Sequence, residues 1–274
     1  MNQPRPRKSP WGAIAVVMLL AGCGGDRAGS SVDTAEGMAS LPGATSSASA
    51  QPDSSSANAA AESPTEVCPN PHGGACLGEL AQGTYTTKLL ATQLSYTVAD
   101  GWANLEDLPG NVLLVPPTAS AEGVDAGTAD YVGVYDGIAA ASVDCFERPQ
   151  SDVDTSPAAM AAWFVAHPGL ETTDPTAVTV GGLDGLVLDL RLADDYTGTC
   201  PYAQPEGTPL LPMIIGARPA EVHHVVCCDI STRLYLLAGQ AGRVLAIELS
   251  DVPGGADLEG LDAVVDDFVF STEG

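Results

Sequence analysis

The chain has 274 residues, of which 35 are acidic and 10 basic, a formal charge of −25 at pH 7. With no basic stripe to offset that charge, nucleic-acid binding is excluded, and an anionic lipid surface is repelled as well. Solubility and a compositional bias against lysine, present only as Lys8 and Lys88, account for the balance better than a cation-buffering role.

At the amino end, Arg5, Arg7 and Lys8 precede an apolar segment from Trp11 to Ala21. The segment has the length of a signal-peptide core and is too short to span a bilayer. It ends in Leu20-Ala21-Gly22-Cys23, which resembles the bacterial lipobox. The resemblance implies a signal peptide over 1–22 and a diacylated Cys23 as the first mature residue. The alternative is an ordinary secretory signal with a chance cysteine. Two acyl chains suffice for stable anchoring, so membrane contact is expected through the lipid on Cys23. Residues 23–82 are expected to form a flexible tether. "ATSSASAQPDSSSANAAAESPTE" has no aromatic residue and too little apolar surface to offset chain entropy.

The other six cysteines are Cys68, Cys76, Cys145, Cys200, Cys227 and Cys228. An even set in an exported chain reads as a disulfide framework. Cys145 with Cys200 is the expected main bridge, because "VDCFERP" and "TGTCPYA" are loops flanking core strands. Cys68 with Cys76 would close the small loop "CPNPHGGAC" ahead of the domain.

The domain is expected over 83–274. "QLSYTVADGW" places Leu94, Tyr96 and Val98 on one face of a strand, and "ADGW" turns. "NVLLVPP" reads as a buried strand, "TASAEGVDAGTAD" as a polar loop, and Tyr131 to Ala140 as a further strand. A helix follows, with Ser156 as N-cap, Pro157 at the first helical position, and Met160, Trp163, Phe164 and His167 along one face. His167 reads as a packing residue at the helix end rather than a ligand.

Ala177–Val180 and Leu186–Leu192 read as the two arms of a hairpin. Strands are expected at Met213–Gly216, at "EVHHVV" and "TRLYLLAG" on either side of the turn "CCDIS", and at "RVLAIELSD", with Leu245, Ile247 and Leu249 on one side. A last helix capped by Asp257 turns Leu258, Leu261, Val264 and Val265 inward, and "DFVFST" adds a final strand. Hairpin-linked strands with two main helices predict an α+β fold, an antiparallel sheet flanked by helices.

"LSYTVADGW", "VTVGGLDGLVLDL" and "LAIEL…LDAVVDDFVF" resemble the opening strand and turn, the G-G-x-x-G hairpin and the closing elements of PsbP-like domains. Ala99 stands where those domains usually carry proline. The blocks "GTYTT…DGW…LEDLPGN…LLVPP" and "HHVV…RLYLL" also resemble a group of uncharacterised bacterial envelope lipoproteins. The resemblance implies a PsbP-like sandwich that serves as a binding or assembly module, and it implies no catalytic residue.

No G-x-S-x-G, S-x-x-K, H-E-x-x-H, Walker A or G-x-G-x-x-G motif occurs. The one dense cluster is "HHVVCCD". His223, His224, Cys227 and Cys228 are metal-ligand types, but successive strand residues face opposite ways, so both histidines do not reach one ion. Cys227 and Cys228 are read chiefly as structural or vicinally disulfide-bonded, with redox switching, free thiols or pairing with Cys68 or Cys76 as alternatives. The acid pairs Asp152/Asp154, Asp194/Asp195 and Asp266/Asp267 match no calcium loop and read as solvated faces.

The expected function is therefore a lipid-anchored protein of the cell envelope, facing the extracytoplasmic side, whose domain binds an envelope protein or glycan without catalysis and without a cofactor. The alternative is a metal- or redox-responsive domain built on His223, His224, Cys227 and Cys228.

Overall fold

Strands that are apolar on both faces set the architecture, because each face then needs a cover. In β5 (Asn111–Val115) and β10 (Leu210–Gly216) every residue is buried, and in β6 (Tyr131–Ala140) and β13 (Val244–Asp251) nearly every one is. The computed structural model describes residues 77–125, 127–203, 205–216, 223–255 and 258–271. The expected signal peptide, Cys23, Cys68, Cys76, most of the tether and the Asp257 cap lie outside the described residues. Among those residues no helix is long and apolar enough to cross a membrane.

The remaining strands are β1 (Gly78–Glu79), β2 (Gly83–Thr86), β3 (Leu94–Val98), β4 (Ala103–Leu108), β7 (Leu170–Thr172), β8 (Thr176–Val180), β9 (Leu183–Leu192), β11 (His223–Cys227), β12 (Ser231–Ala238) and β14 (Val269–Phe270). The helices are α1 (Ala121–Asp125), α2 (Pro157–Ala166) and α3 (Leu258–Val265). An 11-stranded antiparallel sheet runs β1-β4-β5-β6-β13-β12-β9-β7. Here β8 also pairs with β9, and the β10–β11 hairpin joins through β6. A separate three-stranded sheet, β14-β3-β2, lies apart from that path. The fold is mainly antiparallel β, as the pattern predicts, with two differences. The strands gather into two sheets, and the segment expected as a polar loop contains the short α1, whose Val124 packs on Leu113 and Val115. Strand β1 and the fully buried Leu80 place folded chain upstream of Gly83.

One face of the large sheet presents Val132, Val134, Leu245, Ile247 and Leu249 to α3 and the small sheet. Tyr85, Leu94, Tyr96, Leu261, Val264 and Val265 complete that core. The opposite face presents Tyr135, Leu188, Leu190, Leu234, Leu236 and Ala246 to α2, with Leu211, Met213 and Val226 of the hairpin beside them. In β6, Tyr135 and Ile138 reach the same core despite odd spacing. A bulge with Gly137 at φ 73° resets the alternation, as one extra residue in a strand does.

Helix α2 starts as the sequence indicates. Ser156 Oγ accepts from the Ala159 N–H at 3.2 Å, and Pro157 occupies the first turn. Helix α3 is tied down by charge as well as by packing. The Arg233 guanidinium grips Asp189 through two nitrogens, at 2.7 and 3.0 Å, and Asp262 on α3 at 2.7 Å. Tyr235 donates its hydroxyl to the same Asp262.

The G-G-x-x-G pattern has a steric explanation. Gly181 and Gly182, at φ 55° and 87°, form the two-residue turn between β8 and β9, where both positions need left-handed backbone. Gly185 serves a different end. A β carbon there would collide with the Leu236 carbonyl of β12 and lie 2.8 Å from the Leu237 Cα. Gly185→Ala is therefore expected to destabilise by about 3 kcal/mol through overpacking against backbone. Gly182→Ala, which meets nothing within 4 Å, is expected to cost about 1 kcal/mol for its backbone conformation alone. Urea unfolding of the two variants checks the order.

Candidate functional site

Strand β13 carries a glutamate at the centre of an apolar run, and the covering of both sheet faces buries it: Glu248 is 1% exposed. A charge there demands partners. Tyr131 of β6 donates its hydroxyl to Glu248 Oε1 at 2.9 Å. His224 of β11 places Nδ1 3.0 Å from Oε2 and is itself buried. Oε2 receives no well-aligned hydrogen bond, so the imidazole is a close neighbour of this oxygen rather than its hydrogen-bond donor. The Tyr135 ring lies against His224 at 4.0 Å between centroids. Its hydroxyl fits because residue 133 is glycine, whose β carbon would otherwise strike it. Burial first, and the nearby Glu248 charge second, hold the Tyr131 and Tyr135 hydroxyls far above the ordinary phenol range.

The β10–β11 hairpin that carries His224 ends in Cys227, with Cys228 next, beside a pair of cysteines from earlier loops. Cys145 and Cys200 are disulfide-bonded, with Cα atoms 5.6 Å apart and a sequence separation of 55. Cys200 packs with Ala203, Leu210 and Cys227 in a small satellite core, flanked by Cys145, Tyr202, Val225 and Cys228. The vicinal Cys227–Cys228 bond considered from the sequence does not form. Cys228 is disulfide-bonded, Cys227 is a free buried thiol, and their sulfurs are 3.3 Å apart. The physical reason is local. β11 runs through Cys227 and turns that side chain inward, whereas Cys228 enters the turn at φ 58°. Burial pushes the Cys227 thiol up to about 11.

Of the four metal-ligand types, the described His224, Cys227 and Cys228 are not arranged around an ion. Among the described residues, no group of three or more His, Cys, Asp or Glu side chains is placed to hold an ion. His224 is committed to Glu248, and the side chain of His223 lies outside the described structure. His167 caps α2, where its Nδ1 accepts from the Gly169 N–H at 3.0 Å and its ring packs on Trp163. Of the acid pairs, Asp194 binds Arg191 at 2.6 Å and Asp152 accepts from Gln150 at 2.5 Å.

The disulfide also shapes the surface. An open groove of about 540 Å³ is lined by Cys145, Phe146, Glu147, Arg148 and Tyr202. Phe146 is 65% exposed, and the Arg148 guanidinium lies 5.5 Å from its ring centroid. Asp144 holds the loop from below. It accepts from Ser142 Oγ at 2.6 Å and from the Phe146 N–H at 3.2 Å, and it pairs with Arg148. These contacts, the Ser142 bond foremost, lower the Asp144 carboxyl below its ordinary range.

Sequence reading missed Glu248, Tyr131, Tyr135 and the Phe146 groove. The signal for Glu248 was present: Val244 and Ala246 share its side of β13 and are apolar, so that side had to be covered too.

No family model matches the chain, and no curated protein matches it. Its structural neighbours include a protein of Bacteroides thetaiotaomicron VPI-5482, at 13% identity and a TM-score of 0.33, covering 66% of this chain. This chain spans 46% of that one, less than half its length. They also include LpqN of Mycobacterium tuberculosis, described as involved in cell envelope biogenesis, at 14% identity, a TM-score of 0.32 and coverages of 74% and 90%. Cyanobacterial PsbP from Synechocystis sp. PCC 6803 is a third, at 12% identity, a TM-score of 0.32 and coverages of 72% and 98%. PsbP-like and envelope proteins, the types the sequence resembles, are thus among the neighbours. Likeness at this level carries no argument about activity or partners.

Three outcomes are expected. His224→Leu leaves Glu248 buried without its imidazole and lowers stability by about 3 kcal/mol in urea unfolding, and adding Glu248→Leu recovers most of the loss. Cys145→Ser opens a long loop and costs about 4 kcal/mol by the same measurement. The third concerns pH. A folded-state thiol pKa raised from 9.0 to about 11 gives stability that is complete below pH 9 and declines as pH rises through 11. The Cys227→Ala variant is expected to lack that part of the decline.

Proposed function

We propose that this protein is a lipid-anchored component of a bacterial cell envelope whose domain is a non-catalytic binding or assembly module for another envelope component, protein or glycan. The observation that carries the reading is the exposed Phe146 beside Arg148 and Tyr202, on a loop fixed by the Cys145–Cys200 disulfide. Exposed aromatic and arginine side chains are those that interfaces favour. A loop already cross-linked loses little freedom when a partner docks.

The engagement of two of the four histidines is consistent with the non-enzymatic part of the reading. His224 is spent on a buried carboxylate and His167 on its own helix end. The anchoring part rests on the Leu20-Ala21-Gly22-Cys23 sequence and the charged, apolar lead before it. The alternative of a redox-responsive domain is favoured by one observation, the 3.3 Å between the Cys227 and Cys228 sulfurs.

The test is capture from solubilised envelopes with the full chain, its Phe146→Ala variant and its Cys23→Ser variant. Wild type is expected to retain a defined component. Phe146→Ala is expected to weaken capture at least about tenfold, roughly 1.4 kcal/mol. Cys23→Ser is expected to move the protein from the membrane to the soluble fraction. Equal capture by Phe146→Ala, or membrane retention of Cys23→Ser, contradicts the proposal.

A further inference from the structure

We propose that the Phe146 groove is a receptor for an arginine side chain, presented by a basic segment of a partner protein. The inference rests on the binding-module reading and deepens it by naming what the groove takes.

A guanidinium is held best by an aromatic ring and a carboxylate together. The loop already shows that arrangement. Arg148 pairs with Asp144, and its guanidinium lies 5.5 Å from the Phe146 ring centroid. That contact leaves Phe146 65% exposed, so ring surface remains for a second guanidinium. The carboxylate for it is Glu147, which lines the same groove. Among the described residues, no ion pair or hydrogen bond engages Glu147. Its charge is felt inside the groove nonetheless. Burial first, and Glu147 second, hold the Tyr202 hydroxyl above the ordinary phenol range.

Charge decides the class of partner. Arg148 and Asp144 offset each other, and Glu147 leaves the groove net negative. The whole chain, with 35 acidic residues against 10 basic, adds a field of the same sign. An acidic peptide or anionic glycan is repelled, a neutral sugar gains nothing from the field, and a basic segment is drawn in. Arginine suits the site better than lysine. Its flat guanidinium stacks on a ring while giving two parallel N–H bonds to one carboxylate, whereas an ammonium is compact and strongly hydrated.

The disulfide sets the walls before a partner arrives. Cys145 adjoins Phe146, and Cys200 lies two positions from Tyr202, so the Cys145–Cys200 bond ties the two sides of the groove together. A groove fixed in this way spends little on ordering when a side chain enters.

The experiment titrates the full chain with Nα-acetyl-arginine N-methylamide, followed by ligand-observed NMR. The matching citrulline derivative serves as the neutral isostere, and chitotriose as a neutral glycan probe. The arginine probe is expected to bind saturably, at least about fivefold tighter than the citrulline probe. Phe146→Ala and Glu147→Gln are each expected to weaken it at least about threefold. Glu259→Gln removes the same charge from α3, outside the groove, and is expected to leave the affinity within about twofold. All three positions are exposed, so the variants are expected to fold as wild type does. No saturable binding of the arginine probe, equal binding of the citrulline probe, equal losses in Glu147→Gln and Glu259→Gln, or tighter binding of chitotriose would overturn the proposal. Any of these, with Phe146→Ala still impaired in capture from envelopes, removes the arginine inference alone. Equal envelope capture by Phe146→Ala removes the binding-module reading with it.

Discussion

A carboxylate at the middle of a strand that is covered on both faces is the constraint on which the placing of the β10–β11 hairpin depends. Glu248 cannot be left unpaired at that depth without a desolvation cost of several kcal/mol. Its partners therefore come from elements that must be brought to it: Tyr131 from the neighbouring strand β6, 117 positions away in sequence, and His224 from the β10–β11 hairpin. The glycine at 133 belongs to the same arrangement, since it makes room for the Tyr135 hydroxyl beside the pair. Once His224 is fixed, β11 is fixed, and with it the position of Cys227 and Cys228 in the satellite core beside the Cys145–Cys200 bridge.

The two faces of the sheet solve different problems. The face under α3 is fastened by apolar packing and by the Arg233 clamp between Asp189 and Asp262. The face under α2 carries the buried polar group, Glu248 with His224, on the same side of β13 as Val244 and Ala246. The bulge at Gly137 lets β6 contribute to that face on both sides of the bulge, through Tyr135 before it and Ile138 after it. Chemistry-bearing residues thus collect on one side of the domain although the two cores are of similar size.

Much of this was legible in the chain. Leu94, Tyr96 and Val98 alternate as a half-buried strand must, Ser156 and Pro157 mark a helix start, and Gly181-Gly182 demands a hairpin turn. Cys145 and Cys200 were readable as partners because both interrupt strand patterns with loop residues. What local pattern did not give was strand order. "EVHHVV" and "TRLYLLAG" adjoin across a short turn, yet β11 pairs with β10, while β12 pairs with β9 and β13. Periodicity reports which side of a strand is apolar and is silent on its neighbours, so the meeting of His224 and Glu248 could not be read. The same limit hid the state of Cys227 and Cys228, which turns on where β11 ends and on the left-handed backbone of the second cysteine.

If Glu248 organises the hairpin, weakening its hold on His224 should loosen that hairpin before the rest of the domain. Amide hydrogen exchange on the Glu248→Gln variant measures this directly. The account expects loss of protection at 210–216 and 223–227, with β9, β12 and α3 unchanged. Equal protection of the hairpin in wild type and variant, or uniform loss across both sheets, would contradict it.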